Sequence, residues 1–294
     1  MSLIAVLIGF GHLSDYVQVK GKNTENEGIT MTSFNVRNFM GGFTTEKSHV
    51  DEKVYQFLKE KNPDIICLQE ASLGRLRKHY KAEGKGAKDI SFLNYIHNST
   101  NGGPITFSRY PIIGKEQINF KDSGNKTIIS DIVINSDTVR LFNTHLQSYK
   151  FTDQDISSLD SISFNLQEEN YKVMRYTGSK LKRAFIQRTE QAEILAGLIQ
   201  KSPYKVLVCG DFNDTPLSYS YHTVKKGLKD AFVESGSGIG NTYLGDLPSL
   251  RIDYILHSPE FESFNFEVDK VQLSDHFPIS CTLIPKSEEV ETDD

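Results

Sequence analysis

The chain has 294 residues, of which 38% are hydrophobic and 24% are charged, and its formal charge at pH 7 is −5. This length allows one large domain or two small ones, either of them able to bury a sizeable core, and the composition is ordinary for a globular protein. Five acidic residues lie within the last seven positions, so the rest of the chain is close to neutral. The rest of the chain is therefore neither strongly basic nor strongly acidic, and its charge is still compatible with a polyanionic partner.

The N-terminal region is predicted to precede the main domain as a separate segment of the sequence. Residues 3–10 are apolar, but a membrane-spanning helix needs about 20 residues, so this segment is too short to cross a membrane. Residues 20–29 are polar and rich in Gly and Asn, which is typical of a linker. We expect residues 1–29 to be an N-terminal segment or linker, either packed on the domain or forming the end of a truncated membrane anchor. These alternatives correspond to a cytoplasmic and a membrane-tethered protein.

The first half of the chain begins with strand and helix patterns and then becomes mainly β. Alternating polarity predicts a strand over residues 31–36, and apolar residues at helical spacing predict a helix over 49–61. An apolar strand over 64–70 follows, and residues 71–89 are basic and helix-like. The next predicted strands cover residues 90–96, 105–113, 117–120, 127–135 and 138–145.

The second half contains one long stretch without a clear pattern. Residues 147–179 fit neither a clean strand nor a clean helix, and connections of this length are usually functional or mobile. A helix is predicted over 180–200. Six basic residues and no acid lie between Lys172 and Arg188, which indicates either a solvated helix flank or a phosphate-steering surface. The remaining predictions are a strand within 206–216 that Thr215-Pro216 breaks, strands at 251–256, 264–272 and 277–284, and a short helix at 218–226.

Many short strands and a few helices predict two stacked sheets with helices outside, that is, an α/β sandwich. The candidate site residues described below run from Asn35 to His276, so a single domain over residues 30–285 has to bring them together. The acidic residues 286–294 are predicted to form a disordered tail.

Residues 206–216 carry the strongest local signal. A short apolar run ends at Gly210, and two oxygen-bearing side chains, Asp211 and Asn213, follow at alternate positions. Alternate residues of a strand point the same way, so these two side chains are expected to project together from the end of a buried strand. An Asx-type turn after the strand is the alternative interpretation, because Asp, Asn and Pro favour it as well.

Further polar side chains follow other predicted strands. Glu70 ends the strand over 64–70, and Asn35 ends the first strand. Carboxylate and amide oxygens are hard ligands that suit Mg²⁺ or Mn²⁺ and not zinc. Glu70 with Asn35, assisted by Asp275, is therefore the candidate metal site.

Two histidines, His145 and His276, also lie at predicted strand ends next to loops. Beside a Mg²⁺ site they suggest phosphoester hydrolysis. That reaction needs a cation to neutralise phosphate charge, a group to place or deprotonate water, and donors to the developing negative charge on the phosphoryl oxygens.

Seven short motifs together resemble the endonuclease/exonuclease/phosphatase superfamily, which has the deoxyribonuclease-like fold. The resemblance covers about residues 30–285 and follows the family's order. The motifs are Ser33-Phe-Asn35-Val-Arg, Leu68-Gln-Glu70, Phe107-Ser-Arg-Tyr-Pro-Ile, Asn143-Thr-His145-Leu, Gly210-Asp-Phe-Asn213, Arg251-Ile-Asp253-Tyr-Ile and Ser274-Asp-His276-Phe-Pro.

The resemblance implies a four-layered α/β/β/α sandwich, with two mostly antiparallel sheets packed face to face and helices outside. It also implies a Mg²⁺-dependent hydrolase of phosphoester bonds, with Mn²⁺ as a substitute ion. Glu70 is then the principal metal ligand, assisted by Asn35 and Asp275.

The resemblance also assigns roles around the attacking water. Asp211 orients or deprotonates the water, and Asn213 positions it and contacts the phosphate. His276 contacts a phosphate oxygen or acts as the base, and Asp253 holds its ring. His145 donates to a nonbridging oxygen.

Family members cut nucleic acids, inositol phosphates, phospholipid head groups and nucleotides, and the motifs do not choose among them. The basic stretches and the aromatic residues at 149–176 favour a nuclease, whereas the neutral body and the absence of Trp do not. Thr144-His145-Leu-Gln147 and the apolar N-terminus favour a sphingomyelinase-like phospholipid or inositol-phosphate phosphoesterase, with membrane association through the N-terminal region. A non-catalytic binding module is the remote alternative. We expect a monomer.

Overall fold

The computed structural model describes residues 14–42, 48–82, 94–149, 168–244 and 250–286. Most of the predicted N-terminal apolar segment and almost all of the acidic tail lie outside these ranges, so the expectations for them stay predictions. None of the described helices combines the length and the apolar character needed to cross a membrane.

Strands make up most of the regular structure. They are β1 (Val17–Gln18), β2 (Ile29–Asn35), β3 (Ile65–Ala71), β4 (Tyr95–Asn98), β5 (Gly103–Ser108), β6 (Ile112–Asn119), β7 (Lys126–Ile134), β8 (Asp137–His145), β9 (Lys205–Asp211), β10 (Lys229–Asp230), β11 (Gly238–Ile239), β12 (Asp253–His257), β13 (Phe261–Val268) and β14 (Ile279–Pro285). The helices are α1 (Val50–Lys61), α2 (Leu73–Ala82), α3 (Glu168–Gln200), α4 (Tyr219–Lys225) and α5 (Ala231–Ser235), with a 3₁₀ turn at Arg37–Phe39.

The strands form two six-stranded sheets and a small two-stranded one. The first large sheet has the order β13-β14-β2-β3-β5-β4 and the second has the order β10-β12-β9-β8-β7-β6. Within them, β2–β3 and β8–β9 pair in parallel at the centre of each sheet, and the other neighbours are antiparallel. The carboxyl ends of these two central pairs supply much of the site described below.

Three apolar clusters lie between four layers. The middle cluster joins the two sheets and contains Met31, Ile65, Cys67, Leu141, Leu207, Cys209, Ile255 and Ile279. A second cluster packs α1 and α2 on the first sheet through residues such as Val54, Leu58 and Leu76. A third packs α3 and α4 on the second sheet through Ala192, Leu195, Ile199 and Tyr221. The expected α/β/β/α sandwich with mostly antiparallel sheets is confirmed.

The interpretation of residues 147–179 was wrong for its last part, because α3 begins at Glu168 and not near residue 180. Within the missed part, Thr177 lies on the buried face of the helix, and Gly178 follows it. Polar residues on the buried face hide the apolar periodicity from which a helix is recognised. Residues 150–167 of the same stretch lie outside the described ranges.

Candidate active site

Four side chains meet at the carboxyl ends of the two parallel strand pairs. Asn35 and Glu70 come from the first sheet, and His145 and Asp211 come from the second. The Asn35 Nδ2 donates to Glu70 Oε1 at 3.2 Å and to Asp211 Oδ2 at 2.9 Å. The His145 Nε2 lies 3.7 Å from Glu70 Oε1 and 3.6 Å from Asp211 Oδ2. One amide therefore connects two carboxylates from opposite sheets, and one imidazole lies within 3.7 Å of both.

An irregularity in β3 coincides with Glu70. The register with β5 shifts between Leu68 and Ala71, and Glu70 has a positive φ of 50°. Bulges of this kind re-aim a side chain near the end of a strand. The Glu70 side chain is 31% exposed, and its Oε2 accepts from Asn38 Nδ2 at 3.2 Å. The Glu70 carboxylate is thus held by the amides of Asn35 and Asn38 and remains partly exposed to solvent.

Asp211 and Asn213 are joined to each other as well as to the strand before them. The Asn213 backbone N–H donates to Asp211 Oδ1 at 2.7 Å, and its Nδ2 lies 3.2 Å from Asp211 Oδ2. The same amide donates to the Leu146 carbonyl at 3.0 Å. The first bond is an Asx-type turn, so the two interpretations of this sequence describe one structure. Asp211 itself is almost fully buried.

Gly210 lets β9 approach β8 closely at this point. Its φ is +132°, and a Cβ built there would lie 1.9 Å from the Thr144 carbonyl oxygen. We expect Gly210→Ala to destabilise the fold by roughly 2–4 kcal/mol, because it adds backbone strain and a steric clash. Denaturant unfolding measures the effect. Gly197→Ala in α3 is the control, since nothing lies within 4 Å of a Cβ there. Equal stability of both variants and wild type would contradict the argument.

His276 lies between two carboxylates. Its Nδ1 is 2.8 Å from Asp253 Oδ2, and its Nε2 is 3.7 Å from Asp211 Oδ2. The Tyr243 ring packs edge-on against the imidazole, with centroids 5.0 Å apart. Burial by itself lowers the pKa of His276, but Asp253 and Asp211 outweigh it and raise the pKa to about 10. In the metal-free protein the ring is therefore protonated at neutral pH.

The pKa of Asp211 is raised, and burial is the largest cause. The nearby Asp253 raises it further, while His276 and His145 lower it. Proton affinity above that of an ordinary carboxylate is what a general base needs.

Asp275 reaches the site through Arg37. Its Oδ2 is 3.2 Å from Arg37 Nε, and its Oδ1 accepts from Ser274 Oγ at 3.0 Å. The Arg37 backbone N–H in turn donates to Asn35 Oδ1 at 3.0 Å. The expected partnership of Asp275 with Asn35 thus passes through an arginine.

The sequence model of the endonuclease/exonuclease/phosphatase family matches residues 32–276. The chain belongs to the endonuclease/exonuclease/phosphatase family. Members of this family are metal-dependent phosphoesterases and nucleases, and the matched range includes every predicted site residue from Asn35 to His276. Among curated proteins, none matches the sequence.

Solved structures with the same fold include other members of the family. An endonuclease/exonuclease/phosphatase family protein from Bacteroides thetaiotaomicron is 17% identical, with a TM-score of 0.61 over 90% of this chain and 100% of that chain. TDP2 from Caenorhabditis elegans is 20% identical, with a TM-score of 0.60 over 88% and 74%. D. rerio TDP2 complexed with a single strand DNA product is 18% identical, with a TM-score of 0.61 over 88% and 100%. At these identities the likeness establishes the fold alone.

The donor set of this family member fits a hard divalent cation. Within the described ranges, neither Glu70 nor Asp211 forms an ion pair with a lysine or arginine, and the basic side chains within 4 Å of these carboxylates are histidines. The buried His145 Nε2 has no hydrogen-bond partner in that part of the chain. A second group of ligand atoms, from Asp211, Asp253 and His276, lies within 4.8 Å of one another. Both groups are rich in the oxygen ligands that Mg²⁺ and Mn²⁺ prefer.

Sequence analysis missed a buried arginine beside the site. Arg188 is fully buried, and it donates to the Gln147 carbonyl at 2.6 Å and to Asp214 Oδ2 at 3.1 Å. It thereby ties α3 to the segments that follow His145 and Asn213. Arg188 lies four residues from both Ala184 and Ala192, which places it on the apolar face of the predicted helix. A charged residue on a buried face needs a partner, so this spacing could have indicated a buried ion pair.

Asn38 and Tyr243 were also missed. Asn38 is three residues from Asn35, within the loop that the first motif opens. Tyr243 is separated from His276 by more than thirty residues, and its contact depends on an isolated β-bridge between the two. No local pattern in the sequence predicts such a bridge.

Proposed function

We propose that this protein is a Mg²⁺-dependent phosphodiesterase that acts on nucleic acid, with Mn²⁺ as a substitute ion. Residues 30–285 form the catalytic domain, and the enzyme works as a monomer. The observation that carries the proposal is the meeting of Glu70, Asn35, His145 and Asp211 at the ends of strands from both sheets. Such a group of oxygen and imidazole donors suits a phosphate ester together with a cation.

Glu70 would hold the metal ion, assisted by Asn35 and Asp275. When bound, the ion neutralises phosphate charge and stabilises the leaving oxygen. The exposed side of the Glu70 carboxylate supports this role, and so does the lack of any lysine or arginine partner for it in the described structure.

Asp211 would accept the proton of the attacking water. Its raised pKa and its two bonds from Asn213 support a fixed base of adequate strength. Asn213 would position the water and contact the phosphate. Because His276 is already protonated, it serves as a cation rather than as the base.

His276 and His145 would donate to the nonbridging phosphate oxygens. Asp253 fixes the His276 ring through the 2.8 Å bond to Nδ1, which leaves Nε2 facing the site. His145 Nε2 has no hydrogen-bond partner among the described residues. Donors held in place before the reaction stabilise developing negative charge without reorganisation.

Nucleic acid is favoured as the substrate class by the neighbour crystallised with a single strand DNA product. A phospholipid or inositol-phosphate substrate is the second candidate. It is supported by the exposed apolar side chains Met174 and Ile186 on α3, which suit contact with a lipid surface.

A Mg²⁺-supplemented activity screen tests the proposal. It includes single-stranded oligonucleotides, plasmid DNA, RNA, inositol phosphates, sphingomyelin and bis-p-nitrophenyl phosphate, each with and without EDTA. We expect turnover of bis-p-nitrophenyl phosphate and of nucleic acid, lost in EDTA and restored by Mg²⁺ or Mn²⁺. Turnover of sphingomyelin or inositol phosphates alone would favour the second candidate, and no turnover at all would favour a binding module.

A further inference from the structure

A basic cleft lies between α3 and the turn that joins β6 to β7. Its volume is about 420 Å³. Three cationic side chains line it: Lys121 from the turn, and Lys182 and Arg183 from the helix. Two carboxylates, Asp122 and Glu190, lie in the same lining, so the cations are in excess by one.

The three cations are not engaged elsewhere in the described structure. Lysines such as Lys61 and Lys205 form ion pairs at 2.7 Å, whereas no ion pair joins Lys121, Lys182 or Arg183 to a described residue. Unpaired cations at a concave surface attract anions, because the cleft walls concentrate the field. The lining is therefore complementary to a phosphate group.

The turn is fixed both to the helix and to the active site. Gln187 Nε2 donates to the Asp122 carbonyl at 3.2 Å, which connects the two walls of the cleft. Asn125 Nδ2 donates to the Leu146 carbonyl at 2.8 Å, and Leu146 directly follows His145. The Leu146 carbonyl also accepts from Asn213. A few hydrogen bonds thus lead from the cleft to the proposed catalytic groups.

Helix α3 also connects the cleft to the segment that follows His145. Arg188 contacts the Gln147 carbonyl, two residues after His145. Arg183 lies five residues before Arg188, which is about 8 Å along the helix axis. The cleft therefore lies within about two turns of this contact along α3, on another face of the helix.

We propose that this cleft binds a second, uncleaved phosphate group of a single-stranded nucleic-acid substrate. The inference rests on the proposed function, because it extends the same substrate beyond the reacting bond. One exposed ring, Tyr176, lies two turns before Arg183 on the same face of α3 and is 55% exposed, so it offers a stacking surface for a base. Cationic grooves with adjacent aromatic side chains are the usual means of binding single strands.

Binding of a fluorescently labelled single-stranded oligonucleotide, measured by anisotropy in EDTA over a range of salt concentrations, tests the cleft apart from catalysis. The test variant is Lys182→Gln/Arg183→Gln. The control is Lys201→Gln/Lys226→Gln, which removes the same charge at exposed positions outside the cleft lining. We expect the test variant to bind about tenfold more weakly and its salt slope to fall by about 0.7, since the cleft holds one phosphate and each single-strand phosphate contact contributes about 0.7.

Turnover of bis-p-nitrophenyl phosphate separates this inference from the proposed function. That substrate has one phosphate, so the test variant should hydrolyse it at the wild-type rate. Oligonucleotide binding lost in the test variant of a protein without any turnover would support the cleft and reject the proposed function. Equal binding by both variants, or no binding by wild type, would overturn the cleft. So would loss of binding to anionic phosphatidylserine vesicles with oligonucleotide binding intact, because the surface would then contact membranes.

Discussion

Glu70→Gln is expected to lower Mg²⁺-dependent turnover by about 10³-fold or more, since it removes the charge that holds the ion while keeping the shape of the side chain. The carboxylate accepts from Asn35 and Asn38, and its partial exposure means that the amide can be accommodated. We therefore expect the melting temperature to stay close to that of wild type. Initial rates over a Mg²⁺ titration measure the effect.

Glu60→Gln on α1 is the matched control, because it makes the same change at an exposed position. It should leave both rate and stability unaltered. A Glu70→Gln enzyme with the wild-type rate at every Mg²⁺ concentration would remove Glu70 from the metal site. Loss of activity together with loss of the folded state would show a structural role instead.

His276→Ala is expected to reduce kcat on the order of 10²-fold or more while leaving KM nearly unchanged, because the imidazolium stabilises charge that develops during the reaction. The pH profile is the more specific measurement. With the folded pKa near 10, the donor form is present at neutral pH and is lost as the pH rises through about 10. We expect wild-type kcat to fall in that alkaline range and the variant to lack this step.

Asp253→Asn helps to interpret that result. It keeps a hydrogen-bond partner beside His276 Nδ1 but removes the main charge that raises the pKa of the ring. The alkaline fall in kcat should therefore move to lower pH. A defect of His276→Ala confined to KM, or an unchanged pH profile in Asp253→Asn, would contradict the assigned role.

The sequence predicted the strand ends of the site well, for a physical reason. Asp211 and Glu70 each follow a short apolar run of the kind that is typical of a buried strand, and Asn35 ends an alternating one. Oxygen-bearing side chains at such strand ends are recognisable. The family resemblance then added the order of the motifs. These patterns do not show which strand ends lie next to each other. No local sequence feature predicts that β2 and β9 bring Asn35 Nδ2 to 2.9 Å from Asp211 Oδ2.

Other parts of the structure depend on tertiary contacts that override local preference. The first turns of α3 contain a glycine and a buried threonine, which weaken the helical pattern, and the helix is held by partners such as those of Arg188. The ion pair between Asp275 and Arg37 also depends on tertiary packing, because the two residues are far apart in the sequence. The basic stretch on α3 could be recognised from the sequence, whereas its cleft required the turn at Lys121, more than fifty residues away.

The two groups of candidate ligands predict different metal positions. In the group of Asp211, Asp253 and His276, the His276 Nδ1 lies 2.8 Å from Asp253 Oδ2, so the ring and this carboxylate already contact each other, and all three residues are buried. In the group of Glu70 and Asn35, the carboxylate is accessible and lacks a lysine or arginine partner among the described residues. We therefore propose that the ion binds at Glu70.

Anomalous diffraction from crystals soaked with Mn²⁺ tests this assignment most directly. We predict a manganese peak bound by the Glu70 carboxylate, next to Asn35, and the loss of that peak in Glu70→Gln. A peak enclosed by Asp211, Asp253 and His276 without contact to Glu70, or the absence of any peak at saturating Mn²⁺, would contradict it.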